Sequence, residues 1–250
     1  MPRGRCHFAL LLALQKKLAA ELPAVAELTA TYMPDFLAGS VAPDAMRALG
    51  KMGKWGSHFY VEERPDTWGK AVSGMFLAHQ DLSDVSRLPL PDQVLVMGYL
   101  SHLTADEAFR DEVTAYVHGI ENWRPIIYGL WSLVDELDIS HPHLARDIDR
   151  FKRKTNIGFI SCELVGAFLK KSRGWALYSD PLSHERVFLD MIGKPLSDRD
   201  IQHRLETNRR LAAPFLTADR LQAFVNQAVL RAFEEVRRFV SNQYAQKAKP

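Results

Sequence analysis

Apolar residues recur every three to four positions along most of this 250-residue chain, which is the spacing of one face of a helix. The most regular example is a helix predicted from residue 217 or 219 to about 244. Its apolar face comprises Leu221, Phe224, Val225, Ala228, Val229, Phe233, Val236 and Val240. No segment alternates apolar and polar residues in the manner of a half-buried strand. The pattern therefore predicts an all-α protein.

The same periodicity, combined with proline, glycine and capping residues, predicts the other helices. They cover about 6–31, 66–84, 92–118, 122–137, 140–171, 182–193 and 198–212. A kink is expected in the first of them at Pro23, since proline lacks the amide hydrogen that a helix interior requires.

Residues 33–66 are rich in glycine and proline, which predicts one long loop between the first two helices. Only a short helix after Pro43 is expected there. Loops of this length in compact domains commonly carry function. The segment is therefore a candidate for site residues.

The composition is that of a globular protein, with 47% apolar and 25% charged residues and a formal net charge of +2. The charges of both signs are spread along the chain, without the basic stripe that nucleic-acid binding requires. The length suits one domain, predicted to span 1–250. No apolar run reaches the 18 residues of a membrane-spanning helix.

The N-terminal segment "MPRGRCHFALLLALQKK" has the basic start and apolar run of a signal peptide. The run is short, however, Lys16 and Lys17 follow it at once, and no A-x-A cleavage site with a loop behind it appears. Cys6 and Cys162 form no CxxC motif, which is typical of free thiols in a reducing compartment. We therefore expect the segment to be part of the mature structure and the protein to be cytoplasmic.

His102 and Asp106 are four residues apart, so a helix places their side chains one turn apart on the same face. That face also carries Leu95 and Tyr99, and it should point inward. A buried carboxylate needs a partner. Two interpretations remain open: the pair ligates a metal ion, or it forms a hydrogen-bonded contact between two helices.

The predicted loop contains residues that would extend a coordination shell, namely Asp44 just after a proline and His58 further on. Glycines surround both of them, at Gly39, Gly50, Gly53 and Gly56. Three further residues of ligand type lie near in the sequence: His7, His79 and Asp81. Of these, His79 is interpreted as a core or capping histidine, because Phe76 and Leu77 are nearby. The alternative is that His79 and Asp81 orient a metal ligand or bind the metal themselves.

Three segments resemble the zinc-dependent phospholipase C family, within the S1/P1 nuclease-like all-helical superfamily. They are "LAGSVAPD" (37–44), "SHFY" (57–60) and "MGYLSHLTAD" (97–106). The resemblance covers about 5–120 and implies a multi-helix bundle with a long metal-binding loop. Residues 140–250 would complete the bundle or cover the site as a lid.

The resemblance also implies a ligand set. One zinc ion would be held by Asp44, His58, His102 and Asp106. A neighbouring zinc would be held by His7, with Asp106 as the bridge between the two.

This sequence departs from the family's pattern at the third zinc site. The first histidine expected after the HxxxD pair is replaced by Asp111 or Glu112, and His118 is followed by Glu121 one position early. A weakened, altered or absent third site is expected. Alternatively, His118 ligates together with one of the two earlier carboxylates, and such a carboxylate-rich site would favour Mn²⁺ or Fe²⁺ over Zn²⁺. The expected content is thus one to three ions.

These features predict a hydrolase that uses a metal-activated water on a phosphate ester, either a small molecule or a phospholipid-like substrate. Asp44 would act as ligand or as catalytic base. Two alternatives remain open. One is a di-metal enzyme of a dedicated metabolic pathway, acting on an amide or ester or with O₂. The other is a non-catalytic binding protein whose metal fastens the loop to the bundle. The C-terminal amphipathic helix could also pair with a second copy of the chain.

Overall fold

The computed structural model describes residues 2–61, 63–117, 119–139 and 141–247, and most of them are helical. The α-helices are α1 (Gly4–Glu21), α2 (Pro23–Thr31), α3 (Met33–Gly39), α4 (Ala42–Ala48), α5 (Lys54–His58), α6 (Ala71–Ala78), α7 (Leu90–Glu112), α8 (Trp123–Val134), α9 (Leu144–Arg150), α10 (Cys162–Ser172), α11 (Gly174–Leu177), α12 (Pro181–Met191), α13 (Asp198–Ala212), α14 (Ala218–Val240) and α15 (Gln243–Lys247). Short 3₁₀ helices cover Pro65–Thr67, Gln80–Leu82, Val85–Arg87, Thr114–Tyr116 and Ala213–Phe215. Within the described ranges, the one β-type pairing is an isolated bridge between Ile157 and Ile160. The predicted all-α class is confirmed for these residues.

Helix α7 is the centre of the fold. Every residue from Val94 to Arg110 is buried, on all sides of the helix. A helix without a solvent-facing side lies inside the protein rather than on its surface. It packs against α14, α3, α1 and α6. Polar residues on α7 are therefore interior residues that need partners.

The backbones of α3 and α7 touch at two glycines. A Cβ atom on Gly39 would lie 2.0 Å from the carbonyl oxygen of Leu95, and one on Gly98 would lie 2.3 Å from that of Phe36. No side chain can be accommodated at either distance. The close approach sets Ser40, just after α3, beside the middle of α7, where its carbonyl oxygen lies 2.8 Å from His102 Nδ1.

Two hydrophobic clusters form the core. The larger one surrounds the first half of α7 and includes Phe8, Phe36 and Phe239. The smaller one joins the second half of α7 to α8 and α14, around Phe109 and Phe224. The two cysteines are buried as free thiols.

The prediction of one long loop at 33–66 is wrong, because α3, α4 and α5 occupy most of that segment. Pro34 and Pro43 stand in the first turns of α3 and α4, where a missing amide hydrogen costs nothing. The prolines therefore start short helices rather than interrupt them. Pro23 likewise begins a new helix, so the predicted 6–31 helix is two helices that meet at Leu22.

Two other predicted helices are too long. The 66–84 prediction contains only α6 and two 3₁₀ turns, and the 140–171 prediction contains α9 and α10 with a non-helical stretch at 151–161 between them. Helix α10 begins only at Cys162 because Ser161 caps it. The Ser161 side chain accepts a hydrogen bond from the amide of Leu164.

The amphipathic C-terminal helix agrees with its prediction. Helix α14 buries one residue per turn, including Phe224, Ala228 and Val236, and turns charged residues outward. Among the described residues, none of the helices combines the length and apolar character that crossing a bilayer would take.

Candidate metal centre

Five ligand-type side chains from four helices meet beside the middle of α7. His7 comes from α1, Asp44 from α4, His58 from the last residue of α5, and His102 and Asp106 from successive turns of α7. The imidazoles of His58 and His102 are 0% exposed, and Asp106 and His7 are 1% and 2% exposed. The side chain of Asp44 is 20% exposed and is the one that reaches the surface.

The donor atoms are spaced as the corners of a coordination shell. His58 Nε2 lies 3.3 Å from His102 Nε2 and 3.6 Å from Asp106 Oδ2. Asp44 Oδ1 lies 3.5 Å from His58 Nε2, and His102 Nε2 lies 3.7 Å from Asp106 Oδ2. A tetrahedral zinc ion with bonds near 2.1 Å separates its ligands by about 3.4 Å. These four distances are close to that edge length, and the ligand atoms that all lie within 4.8 Å of one another form two groups: His7, Asp44 and His102, and His58, His102 and Asp106.

Hydrogen bonds fix which ring nitrogens carry protons. His102 Nδ1 faces the carbonyl oxygen of Ser40 at 2.8 Å, and because a carbonyl only accepts, Nδ1 must hold the hydrogen. The hydroxyl of Ser57 lies 3.1 Å from the Gly53 carbonyl oxygen and 2.8 Å from His58 Nδ1, and when it donates to the carbonyl it accepts from Nδ1. In the neutral rings, both Nε2 atoms therefore present lone pairs.

Helix α5 is itself held in register with α7. The hydroxyl of Tyr99 donates to the Ser57 carbonyl oxygen at 2.5 Å. That bond sets the last turn of α5, and with it His58, against the helix that carries His102.

His7 and Asp106 supply the second part of the centre. The ring of His7 stacks on that of His102 with centroids 3.8 Å apart, and its Nε2 lies 3.6 Å from Asp106 Oδ1. Both nitrogens of His7 and both oxygens of Asp106 are buried and have no hydrogen-bond partner among the described residues. Burying such groups unpaired costs several kcal/mol. The donor set therefore fits a divalent cation at either of the two groups, which share His102.

The protonation states suit cation binding. Burial, together with the neighbouring His102, lowers the pKa of His7 well below its ordinary value. Burial also lowers the pKa of His58, although Asp44 acts in the opposite direction. Burial raises the pKa of Asp44, but the adjacent imidazoles outweigh it, so the pKa of the carboxyl lies below its ordinary value. Neutral imidazoles and ionised carboxylates are the forms that bind metals.

Most of the other predicted residues lie in different surroundings. The His79 ring stacks on Phe159 at 3.9 Å, and Asp111 forms 2.7 Å ion pairs with Arg110 and Arg231. The remaining three are exposed or half-exposed carboxylates: Asp81, Glu112 and Glu121. The ligand groups found in the described part of the chain include none of these five. His118 lies outside the described residues.

Sequence reasoning missed the residues that orient the histidines. Ser57 directly precedes His58, and that adjacency was the available signal. The Ser40 carbonyl gives no signal, because a backbone acceptor has the same chemistry at every residue.

A cleft of about 1040 Å³ opens beside the centre, with Asp44 in its wall. Its basic lining residues are Arg3, Arg47, Lys54, Arg124 and Lys171. Its aromatic lining residues are Trp123, Tyr128, Trp131, Phe168, Trp175 and Phe188. The buried ligands are thus connected to a large cavity through one carboxylate.

Comparison of the chain with protein-family models, with curated proteins and with solved structures found no match.

Proposed function

We propose that this protein is a metal-dependent hydrolase of phosphate esters, with His7, Asp44, His58, His102 and Asp106 as the metal ligands. The observation that carries the proposal is the position of Asp44. Four ligand residues are sealed inside the fold, and the fifth faces a cleft of substrate size. Structural metal sites are closed by protein ligands, whereas catalytic sites keep an open position.

Zinc is the ion we favour, because imidazole nitrogen and carboxylate oxygen are its usual ligands in hydrolytic sites. The resemblance to the zinc-dependent phospholipase C family favours the same ion. Held by these residues, a divalent cation would supply Lewis-acid chemistry: polarisation of a phosphoryl oxygen and a lowered pKa of water.

The chain's own residues would position the reaction. Asp44 is ionised, since its pKa is lowered, and its carboxylate at the cleft wall can orient a water molecule and accept its proton. His58 and His102 cannot take that role while the Nδ1 hydrogen bonds direct both Nε2 atoms into the buried centre.

The lining of the cleft favours a phosphate ester over an uncharged amide or ester. Among the described residues, five basic side chains line it, against the two carboxylates Asp44 and Glu63. Arg47 follows Asp44 by three residues, so both lie on the same face of α4. A guanidinium there can bind phosphoryl oxygens beside the metal centre.

Hydrolysis of bis(4-nitrophenyl) phosphate and 4-nitrophenyl phosphate by the zinc-loaded protein tests the proposal. Asp44→Asn should lower kcat/KM by about 100-fold or more, the usual contribution of a catalytic base. Asp81→Asn, at an exposed carboxylate outside the centre, is the matched control and should leave kcat/KM unchanged. Absence of hydrolysis of both esters by protein that retains its zinc would contradict the proposal.

A further inference from the structure

Apolar faces of two helices, α8 and α12, form the wall of the cleft beyond Asp44. On α8, Trp123, Ile127 and Trp131 follow each other at intervals of four residues, and all three line the cleft. On α12 and just after it, Phe188 and Ile192 repeat the same interval. Residues four apart share one helix face, so two apolar faces border the same cavity.

Aromatic rings are concentrated in this lining. Six of the 24 lining residues are aromatic, whereas aromatic residues make up 10% of the whole chain. Three of the five tryptophans are among them. An enrichment of this size distinguishes the cleft from an ordinary aliphatic groove.

Cationic groups cover several of these rings. The guanidinium of Arg3 lies 4.2 Å from the ring centroid of Phe188, and that of Arg204 lies 4.6 Å from the ring centroid of Tyr128. The guanidinium of Arg124 lies 5.9 Å from the ring centroid of Trp123. These contacts cover one face of each ring and hold the ring in place, which leaves its other surfaces to border the cleft.

The mouth of the cleft offers apolar surface to an occupant. Trp123 is 48% exposed and Ile192 is 46% exposed, whereas Trp175 is only 2% exposed. The cavity volume of about 1040 Å³ corresponds to the upper range for drug-sized ligands and far exceeds the needs of a phosphate group.

We infer that the alcohol part of the substrate is a hydrophobic aromatic ring system, bound in the cleft against the faces of α8 and α12. The phosphoryl end would lie at Asp44 and Arg47, a placement that rests on the proposed function. The ring end depends only on the aromatic wall. The substrate class is therefore an aryl phosphate ester rather than an alkyl one.

Dissociation constants of phenyl, cyclohexyl and 2-naphthyl phosphate, measured by calorimetry on the full chain in EDTA, test the ring preference without the metal. Phenyl and cyclohexyl groups have equal numbers of carbon atoms and differ in aromaticity. Phenyl phosphate should bind about threefold to tenfold tighter than cyclohexyl phosphate. The naphthyl ester should bind about tenfold tighter again, because it buries a second ring.

Two variants locate the ring. Trp123→Ser should weaken the binding of 2-naphthyl phosphate by about tenfold and leave the binding of inorganic phosphate unchanged. Trp55→Ser removes a tryptophan that is 51% exposed and lies outside the cleft lining, so it is the matched control and should change neither constant. Phe188→Leu keeps an apolar side chain but removes the aromatic ring. It should weaken the binding of the naphthyl ester more than the binding of the cyclohexyl ester.

Equal binding of the phenyl and cyclohexyl esters would overturn the inference, as would tighter binding of octyl phosphate than of 2-naphthyl phosphate. Tighter binding of a thymidine dinucleotide than of the naphthyl ester would also overturn it, in favour of a nucleic-acid substrate. The ring preference in EDTA is independent of hydrolysis. If the zinc-loaded protein hydrolyses no phosphate ester while the preference persists, the proposed function fails and this inference stands.

Discussion

The Nε2 atoms of His58 and His102 face each other at 3.3 Å, and hydrogen bonds at both Nδ1 atoms leave two lone pairs in the space between them. Two lone pairs at that distance repel each other unless a positive charge lies nearby. Asp106 adds a carboxylate with no hydrogen-bond partner among the described residues. A bound cation relieves that repulsion and gives the carboxylate a partner.

Removing the metal should destabilise the fold. The centre ties α4 and α5 to α7 and α1, so chelation should lower the Tm by several degrees, as ligand linkage requires. His102→Gln should show a low Tm already and no further decrease in EDTA. His79→Ala removes a histidine outside the centre and should respond to EDTA like the wild type. Elemental analysis of each protein, alongside the melting curves, shows whether metal was lost; unchanged melting of verified metal-free wild type would contradict the prediction.

Ser57→Ala should weaken metal binding by about 10-fold to 100-fold, the usual effect of losing a partner that orients a ligand histidine. The hydroxyl of Ser57 is what accepts from His58 Nδ1. Competition with a chelating dye measures the affinity.

Ser101→Ala is a close control for this change. Ser101 also directly precedes a ligand histidine, but its hydroxyl donates to the Gly98 carbonyl at 2.7 Å and not to an imidazole. A loss of affinity as large in Ser101→Ala as in Ser57→Ala would mean that the orienting hydrogen bond is not the cause.

Gly98→Ala should reduce the free energy of unfolding by about 2 kcal/mol. Overpacking against the Phe36 carbonyl costs about 3 kcal/mol, and the better helix propensity of alanine offsets about 1 kcal/mol. Because α3 must then move away from α7, the variant should also lose metal affinity. Urea unfolding measures the first effect and dye competition measures the second.

Gly166→Ala provides the comparison within another helix. A Cβ atom there would meet Phe151 at 3.7 Å, which is ordinary contact. That variant should be stabilised by about 0.5–1 kcal/mol. Equal destabilisation of the two variants would argue against a special contact between α3 and α7.

Asp135 should make the stability fall as the pH rises. Burial raises the pKa of this carboxyl from 3.8 to about 6, despite an ion pair with Arg3 at 3.4 Å. A folded-state pKa above the unfolded one means that the folded protein binds the proton more tightly. The contribution of Asp135 to the free energy of unfolding is therefore fully present below about pH 4, and it is lost as the pH rises through about 6.

Asp135→Asn isolates this effect. Relative to the variant, the wild type should lose about 2 kcal/mol of unfolding free energy between about pH 4.5 and about pH 7.5. Urea titrations of both proteins across that range measure the difference. A constant difference between the wild type and Asp135→Asn across that range would contradict the raised pKa.

The parts of the centre that lie on one helix could be predicted from spacing alone. His102 and Asp106 share a face with Leu95 and Tyr99, and that face is buried as the periodicity indicates. The convergence of His7, Asp44 and His58 on that face was a prediction from resemblance, because spacing within one helix says nothing about residues on another.

Other features had no local signature. The contact between Gly39 and Gly98 joins positions far apart in the chain, and either glycine by itself is typical of a turn. The prolines at 34 and 43 fit a loop or a helix start equally well until the packing is known. The aromatic wall combines α8 with α12, and only the tertiary fold shows that these two faces border one cavity.

The lining of the cleft by Pro2, Arg3 and Gly4 has a practical consequence for producing the protein. Arg3 is only 4% exposed and contacts Asp135 and Glu185, so residues 2–4 are built into the cavity wall. An affinity tag or fusion partner placed ahead of these residues would emerge where the occupant binds and could block it. Recombinant protein for the measurements above should therefore carry its purification tag after α15, at the opposite terminus.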